Sequence, residues 1–313
     1  MESTYNASEK NNESPGGKPT FCFCTYSCGT RDYIINCDQN DILYCQQAYG
    51  ESRPIHGCSE EFISLVNLIL PNHDRPSDVN EAADLYEDLL RTAALLAIGG
   101  GYDTGYIQAL QSDGIRNIKN YVEGGGSYLG ICAGAYLACR RIEFDKGGKF
   151  EVCGSRDLGF FPGVCIGPTF PGFLYDSEAG AHAAQIKTDD SMVTKISSTD
   201  QGSKDIIPKD IPDTYLYFNG GGHFTLDDKT SQNVKIIARY NNSPDGIPHP
   251  AVVWCKVGRG VAVLSGPHFE YIADKLDPSI VYLKTVIPKM KQTLLSRDIF
   301  YRTILKLLKI SKL

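Results

Sequence analysis

The sequence predicts an α/β protein built on a mostly parallel sheet with helices on both faces. Three stretches predict it. Ala93–Ile98 is a short, wholly apolar run stopped by Gly99-Gly-Gly101, as expected of a strand buried on both faces. Tyr106–Glu123 then carries Ile107, Leu110, Ile115, Ile118 and Val122 at helical spacing, up to the break at Gly124-Gly-Gly126. After it, Tyr128, Leu129 and Ile131 run into Gly130-Ile-Cys-Ala-Gly134 and on to the helix formers Ala135, Leu137 and Ala138. Such β-α-β alternation implies parallel neighbours, and sites in such sheets lie at the carboxyl ends of the strands.

In chain order, residues 1–20 are polar and poor in apolar side chains, a composition that favours disorder. Residues 21–37 hold Phe21, Phe23, Tyr26, Tyr33, Ile34 and Ile35, which could add a strand or pack as a lead-in. Residues 1–38 are therefore expected as a disordered or poorly packed tail, and 39–313 as one domain. Asp41–Cys45 is expected to be the first core strand. Ser59–Leu70 is expected to be a helix capped by Ser59 and ended by Pro71. The stretch 150–225, rich in Gly, Pro and aromatics, predicts a β-rich insert, with Gln185–Ser198 and Thr214–Phe218 forming hairpin-like strands. Val234–Tyr240, Ala251–Lys256 and Val261–Leu264 follow as strands, with a tight turn at Gly258-Arg-Gly260. From Lys275 onward there are nine Lys/Arg against two Asp, and Leu294–Ile310 is amphipathic. That basic helix is either packed on the domain with a solvated face or a surface for a membrane or protein partner.

Composition narrows the function classes. The chain has 313 residues, is 42% hydrophobic and 22% charged, and carries a net charge of −6. That acidity argues against a general nucleic-acid binder. No apolar run approaches the ~18 residues of a membrane span, and the N-terminus lacks an apolar signal core, so a cytoplasmic protein is expected. Its eleven cysteines are then expected to be reduced thiols rather than a disulfide framework. Cys22, Cys24, Cys28 and Cys37 cluster, but their C-x-C-x3-C-x8-C spacing fits no common zinc pattern. No metal and no cofactor are expected.

The chemistry centres on Gly130-Ile-Cys-Ala-Gly134, the thiol counterpart of a nucleophile elbow. A cysteine at such an apex faces a helix N-terminus, which favours the thiolate; the competing reading is a buried structural cysteine. A thiol nucleophile needs a base and the base an orienting group. His268 follows a buried strand and a Gly-Pro turn, and Glu270 lies two residues on, on the same side of an extended segment. This makes Cys132 the candidate nucleophile, His268 the base and Glu270 the orienter. The alternative for His268 is a satisfied loop histidine. The backbone N–H of Ala133, with those of Gly100 and Gly101, would form an oxyanion hole. Glu178, Asn219, Gly221 and His223 are the candidates to line a substrate pocket, with turn-forming roles the alternative.

These residues resemble the Cys-His-Glu arrangement of class I glutamine amidotransferases. Gly99-Gly-Gly-Tyr-Asp103, Gly130-Ile-Cys-Ala-Gly-Ala-Tyr136, Arg141-Ile-Glu143, Gly154-Ser-Arg-Asp-Leu158, Phe160-Phe-Pro-Gly163, Ser177-Glu-Ala-Gly180, Tyr217-Phe-Asn-Gly-Gly-Gly222, Val257-Gly-Arg-Gly260 and Ser265-Gly-Pro-His268 resemble, more closely, the N-terminal domain of fungal-type biotin–protein ligases. The resemblance covers about residues 40–310. It implies a single class I glutamine amidotransferase-like, flavodoxin-like domain and a thiol-dependent amide hydrolysis of unstated substrate. The biotin ligase catalytic module has no counterpart in these residues, so a stand-alone member without ligase activity is expected. The alternative is a non-catalytic module that binds a small ligand or a ligase domain in trans; a redox-sensitive thiol is a third reading.

Overall fold

A computed structural model of the chain describes residues 93–175, 177–189, 211–226 and 232–310, together with the backbone of four strands between 20 and 49. The strands are β1 (Thr20–Cys28), β2 (Tyr33–Asn36), β3 (Leu43–Cys45), β4 (Gln47–Tyr49), β5 (Ala93–Ile98), β6 (Ser127–Ile131), β7 (Cys139–Phe144), β8 (Val152–Ser155), β9 (Phe161–Gly167), β10 (His182–Thr188), β11 (Thr214–Phe218), β12 (His223–Leu226), β13 (Val234–Tyr240), β14 (Pro250–Val257) and β15 (Gly260–Ser265). The helices are α1 (Asp103–Glu123), α2 (Ala133–Leu137), α3 (Val286–Gln292) and α4 (Leu294–Leu307).

Eleven strands form one sheet, ordered β11-β10-β13-β14-β15-β6-β5-β3-β1-β2, with β4 beside β1. Its centre is parallel: β15 pairs with β6, β6 with β5, and β5 with both β3 and β1. The expected mostly parallel sheet is found at this centre, and the sheet as a whole is mixed because β11, β10, β13, β14 and β15 succeed one another antiparallel. The reason is local. β14 and β15 are joined by Gly258 and Arg259 alone, with Gly258 at φ 54°, and a two-residue turn can join only antiparallel neighbours. The strands at 20–28 and 33–36 fall where a tail was expected; β1 runs parallel to β5 inside the sheet. The helix expected over 59–70 lies outside the described residues.

A second sheet, β12-β9-β7-β8, takes β8 and β9 from the expected insert, whose β10 and β11 instead join the main sheet. Its β7 begins directly after α2, which is only five residues long; Arg141-Ile-Glu-Phe144 alternates between outward and inward positions and ends the helix early. Both sheets contribute to one apolar core, in which Tyr128 meets Phe160 and Phe161 meets Phe224 edge to face. Every residue of β15 and of β6 is buried. Each wholly buried Leu or Val there adds about 1.5–3 kcal/mol of transfer free energy, which fixes the two strands whose carboxyl ends carry Cys132 and the Ser265–Glu270 turn. The C-terminal helix packs on this core through Phe300, Ile304 and Leu308, all wholly buried, while a smaller cluster lies between β10–β11 and α3. No helix among the described residues is long and apolar enough to cross a membrane.

Candidate active site

Cys132 stands between β6 and α2 with φ 51° and ψ −106°, a backbone conformation that a non-glycine residue adopts only when its surroundings enforce it. The enforcement is visible. The Cys132 N–H donates to Ser265 O at 2.8 Å and the Gly134 N–H to Gly99 O at 3.0 Å, so the turn is tied to the ends of both β15 and β5. The flanking glycines are required by space. A Cβ on Gly130 would lie 2.6 Å from Gly134 O, and one on Gly134 would lie 2.0 Å from Ile98 O.

The turn after β15 brings His268 to this thiol. The His268 N–H donates to Tyr217 O at 2.8 Å, and Cys132 is near enough to the ring to favour its protonation. Gly100 packs against both: a Cβ there would meet His268 Cε1 at 2.7 Å, Nε2 at 3.3 Å and Cys132 Cβ at 3.8 Å. On the far side of the ring, Nδ1 is 2.6 Å from Glu270 Oε1. Glu270 is wholly buried and His268 is 5% exposed. Burial is the largest influence on His268 and disfavours the imidazolium. The Glu270 carboxylate, its hydrogen bond to the ring and the neighbouring Cys132 outweigh it, so the pKa is raised to about 10. Cys132, His268 and Glu270 are thus brought together in the order in which the sequence pairs them.

The glycine loop after β5 closes the other side. The Tyr106 hydroxyl, from the first turns of α1, donates to Gly100 O at 2.8 Å, which orients the peptide planes of the loop. The backbone N–H groups of Gly100 and Ala133 donate to nothing among the described residues. Gly101, at φ 138°, continues the loop into α1. There Asp103 forms a buried ion pair with Arg156, Nε to Oδ2 at 2.7 Å. Burial raises the Asp103 pKa and Arg156 opposes the rise. That pair explains why Gly154-Ser-Arg-Asp-Leu158 accompanies the glycine loop.

The four pocket candidates separate. Asn219 is brought to the thiol, its backbone O 3.8 Å from Cys132 Sγ. Glu178 accepts the hydroxyl hydrogen of Tyr217, whose ring sits edge-on to His268 at 5.7 Å and stacks on Tyr271 at 4.7 Å. Gly221 is a spacer: a Cβ would lie 2.1 Å from Gly266 O, so it lets the Asn219–Gly222 loop approach the His268 turn. His223 instead bonds Thr169 at 3.2 Å and stacks on His249 at 4.0 Å, and burial lowers its pKa to about 4. Tyr106 and Tyr217 escape sequence reasoning because an aromatic residue on a helix or strand reads as core; only the adjacency of Tyr217 to Asn219 and the Gly220–Gly222 run gave a signal. The side chains of Cys22, Cys24, Cys28 and Cys37 lie outside the described residues.

The family model for the biotin-protein ligase N-terminal region matches residues 51–312. A biotin–protein ligase of Schizosaccharomyces pombe is 40% identical over 184 residues, 58% of this chain and 26% of that protein; the chain thus spans about a quarter of that ligase. An uncharacterized protein of Chlamydia muridarum is 36% identical over 217 residues, 66% of this chain and 75% of its own length. Among solved structures, a protein of Thermoplasma acidophilum provisionally assigned to GMP synthase matches at TM-score 0.34 and 13% identity, over 72% of this chain and 82% of that one. A cytoplasmic protein of Salmonella typhimurium LT2 matches at TM-score 0.36 and 14% identity, over 72% and 75%.

Proposed function

We propose, from the premise that the chain belongs to the biotin–protein ligase N-terminal family, that it is a cysteine-dependent hydrolase of an amide or related acyl group. On this reading residues 39–313 are one class I glutamine amidotransferase-like domain. The observation that carries the proposal is the contact set around Gly100: a strained cysteine and an imidazole both packed against this glycine, with a buried carboxylate behind the imidazole.

Each step uses a group already described. Cys132 Sγ attacks the substrate carbonyl carbon, and the thiol proton resides on His268 Nε2. Glu270, acceptor at Nδ1, holds the ring in the orientation that leaves Nε2 toward the sulfur and stabilises the imidazolium. The oxyanion is received by the N–H groups of Gly100 and Ala133, beside Gly101, donors set in fixed peptide planes that need no reorganisation. As the C–N bond breaks, His268 returns the proton to the leaving amine. Water then attacks the thioester with His268 as base, releasing a carboxylic acid and restoring the thiol. The acyl–sulfur intermediate is the testable species. Incubation with activated acyl donors such as p-nitrophenyl esters should give a hydroxylamine-labile mass increase on the Cys132 peptide. It should be absent in Cys132→Ala and slowed at least tenfold in His268→Ala. A stable protein that never acylates at Cys132 would leave a binding module as the reading.

A further inference from the structure

We infer that the face built by residues 281–295 docks on an anionic membrane surface. Val281, Tyr282, Leu294 and Leu295 enter the headgroup layer, and Lys284 and Lys289 meet the lipid anions. This face lies on the edge strand β11 and owes nothing to the chemistry at Cys132.

The segment that follows the His268 turn is basic. From Lys275 onward nine Lys/Arg stand against two Asp, in a chain whose net charge is −6. It is anchored to the edge of the main sheet. Leu283, Val286, Ile287 and Met290 are buried in one cluster with Ala183 of β10 and Tyr217 of β11. The corner between α3 and α4 is tied down as well: the Tyr215 N–H donates to Thr293 Oγ1 at 2.9 Å, and the Thr214 hydroxyl donates to the same oxygen at 3.2 Å. With those side chains turned inward, the 3₁₀ turn Val281–Leu283 and the start of α4 turn others outward. Val281 is 63% exposed, Tyr282 49%, Leu294 37% and Leu295 75%. Among the described residues only Leu174 and Ile247 are large apolar side chains of comparable exposure, so the exposed apolar surface is concentrated here.

The charges around these four residues are not balanced locally. The acidic side chains already have partners: Asp274 pairs with Lys291 at 2.6 Å, Asp277 accepts the Ser279 N–H at 2.8 Å, and Asp298 pairs with Arg302 at 3.0 Å. Lys284 and Lys289 are exposed and meet no carboxylate among the described residues; Lys289 lies over the Tyr215 ring at 5.8 Å.

The shape and size of the face select its occupant. Side chains as exposed as Val281 and Leu295 stand on ridges, not in a groove. Together the four offer on the order of a few hundred Å² of apolar surface, below the about 800 Å² per partner of a stable protein interface. A bilayer surface needs no matching shape. Apolar side chains enter between the headgroups, a tyrosine keeps its hydroxyl at headgroup level, and lysines are drawn to the negative leaflet. The same leaflet repels an acidic chain everywhere else, so this face alone is presented to it.

The test is co-sedimentation of the full chain with vesicles of phosphatidylcholine alone or with about one third phosphatidylserine, at about 0.1 and 0.5 M salt. The expected result is binding to the phosphatidylserine vesicles, at least tenfold weaker binding to phosphatidylcholine alone, and release by salt. Lys284→Gln with Lys289→Gln lowers the partition coefficient about 25-fold, about fivefold for each lysine. Val281→Ser with Leu295→Ser lowers it at least tenfold and leaves the melting temperature unchanged, because both side chains are in solvent. In Leu295→Trp, brominated phosphatidylcholine in the phosphatidylserine vesicles quenches the new indole, with the native chain, whose one Trp is Trp254, as reference. No binding to phosphatidylserine vesicles, equal binding to phosphatidylcholine alone, or no quenching in Leu295→Trp would overturn the inference. Binding that survives loss of Val281 and Leu295 would mean that the face takes an acidic partner without an apolar phase, and would overturn it too. A native chain that dimerises in sedimentation velocity, with the double serine variant monomeric, would assign the face to a second copy instead.

Discussion

Replacing Gly100 with alanine adds one methyl group between the imidazole of His268 and the thiol of Cys132. On the existing backbone the new Cβ would lie 2.7 Å from His268 Cε1 and 3.3 Å from Nε2. Ordinary contact begins at 3.4 Å, so the ring must retreat from 2.7 to 3.4 Å, about 0.7 Å. It has little room to do so: Nδ1 is held by Glu270 at 2.6 Å, the backbone N–H by Tyr217 O at 2.8 Å, and the ring is bracketed by Tyr217 and Tyr271. Overpacking of this kind costs about 1–3 kcal/mol of stability, a fall of a few degrees in melting temperature for a chain of this size. The cost in reactivity is larger, because displacing a proton-transfer partner by a distance approaching 1 Å lowers rates on the order of 10²-fold. The assay is the second-order rate of Cys132 alkylation by iodoacetamide at pH 7, read on the Cys132 peptide beside a melting curve. The expected outcome is a folded variant whose Cys132 reacts ten- to a hundredfold more slowly, with the other thiols unaffected. A folded Gly100→Ala protein whose Cys132 reacts at the native rate would refute the claim that His268, in this position, activates the thiol.

Other perturbations follow from the same geometry. Cys132→Gly should be more stable than Cys132→Ala by about 1 kcal/mol, because φ 51° with ψ −106° strains any residue with a Cβ,; equal melting temperatures would contradict a strained elbow. The His268 pKa is raised from 6.5 to about 10, so its contribution to stability is complete below about pH 6.5 and is lost as pH rises toward 10. Denaturant titrations at pH 6.5 and 9.5 should show a loss on the order of a few kcal/mol in the native chain, a loss smaller in His268→Gln. Arg156→Met alone leaves Asp103 buried without its partner and should cost about 3–5 kcal/mol, whereas Arg156→Met with Asp103→Leu should recover most of it; additive losses in chemical denaturation would deny that the two act as a pair. Glu270→Gln keeps an acceptor for Nδ1 but removes the charge, and should slow Cys132 alkylation by about 10–150-fold, the range of a hydrogen bond to a charged group.

The parts legible in the sequence are those whose cause is local. Gly130 and Gly134 announce the elbow because no side chain fits beside Gly134 O or Ile98 O, and the apolar run Ala93–Ile98 announces a doubly buried strand. His268 and Glu270 were legible as a pair because an extended segment puts them on one side, and they bond at 2.6 Å. What was not legible depends on partners distant in sequence. In the antiparallel wing the turn at Gly258–Arg259 announces the β14–β15 pair, but the order in which β13, β10 and β11 continue beyond β14 is encoded by no single strand. β7 interrupted the expected helix because the alternation of Arg141–Phe144 counts only once the second sheet is there to cover it. Tyr217 acts on the site through a hydroxyl bond to Glu178, 39 residues away, and from sequence it is one more aromatic in a strand. His223, beside the Gly220–Gly222 run, pointed toward the pocket by proximity alone, and its ring instead meets Thr169 and His249.

The central claim is that Cys132 is a nucleophile made reactive by His268. Its most direct test is a competition among all eleven thiols of the folded native chain for substoichiometric iodoacetamide at pH 7, repeated with His268→Ala. The account predicts that Cys132, although only 8% exposed, is alkylated first and by at least tenfold over exposed Cys153, and that this lead vanishes in His268→Ala. Alkylation of Cys132 no faster than Cys153, unchanged by loss of the imidazole, would contradict it.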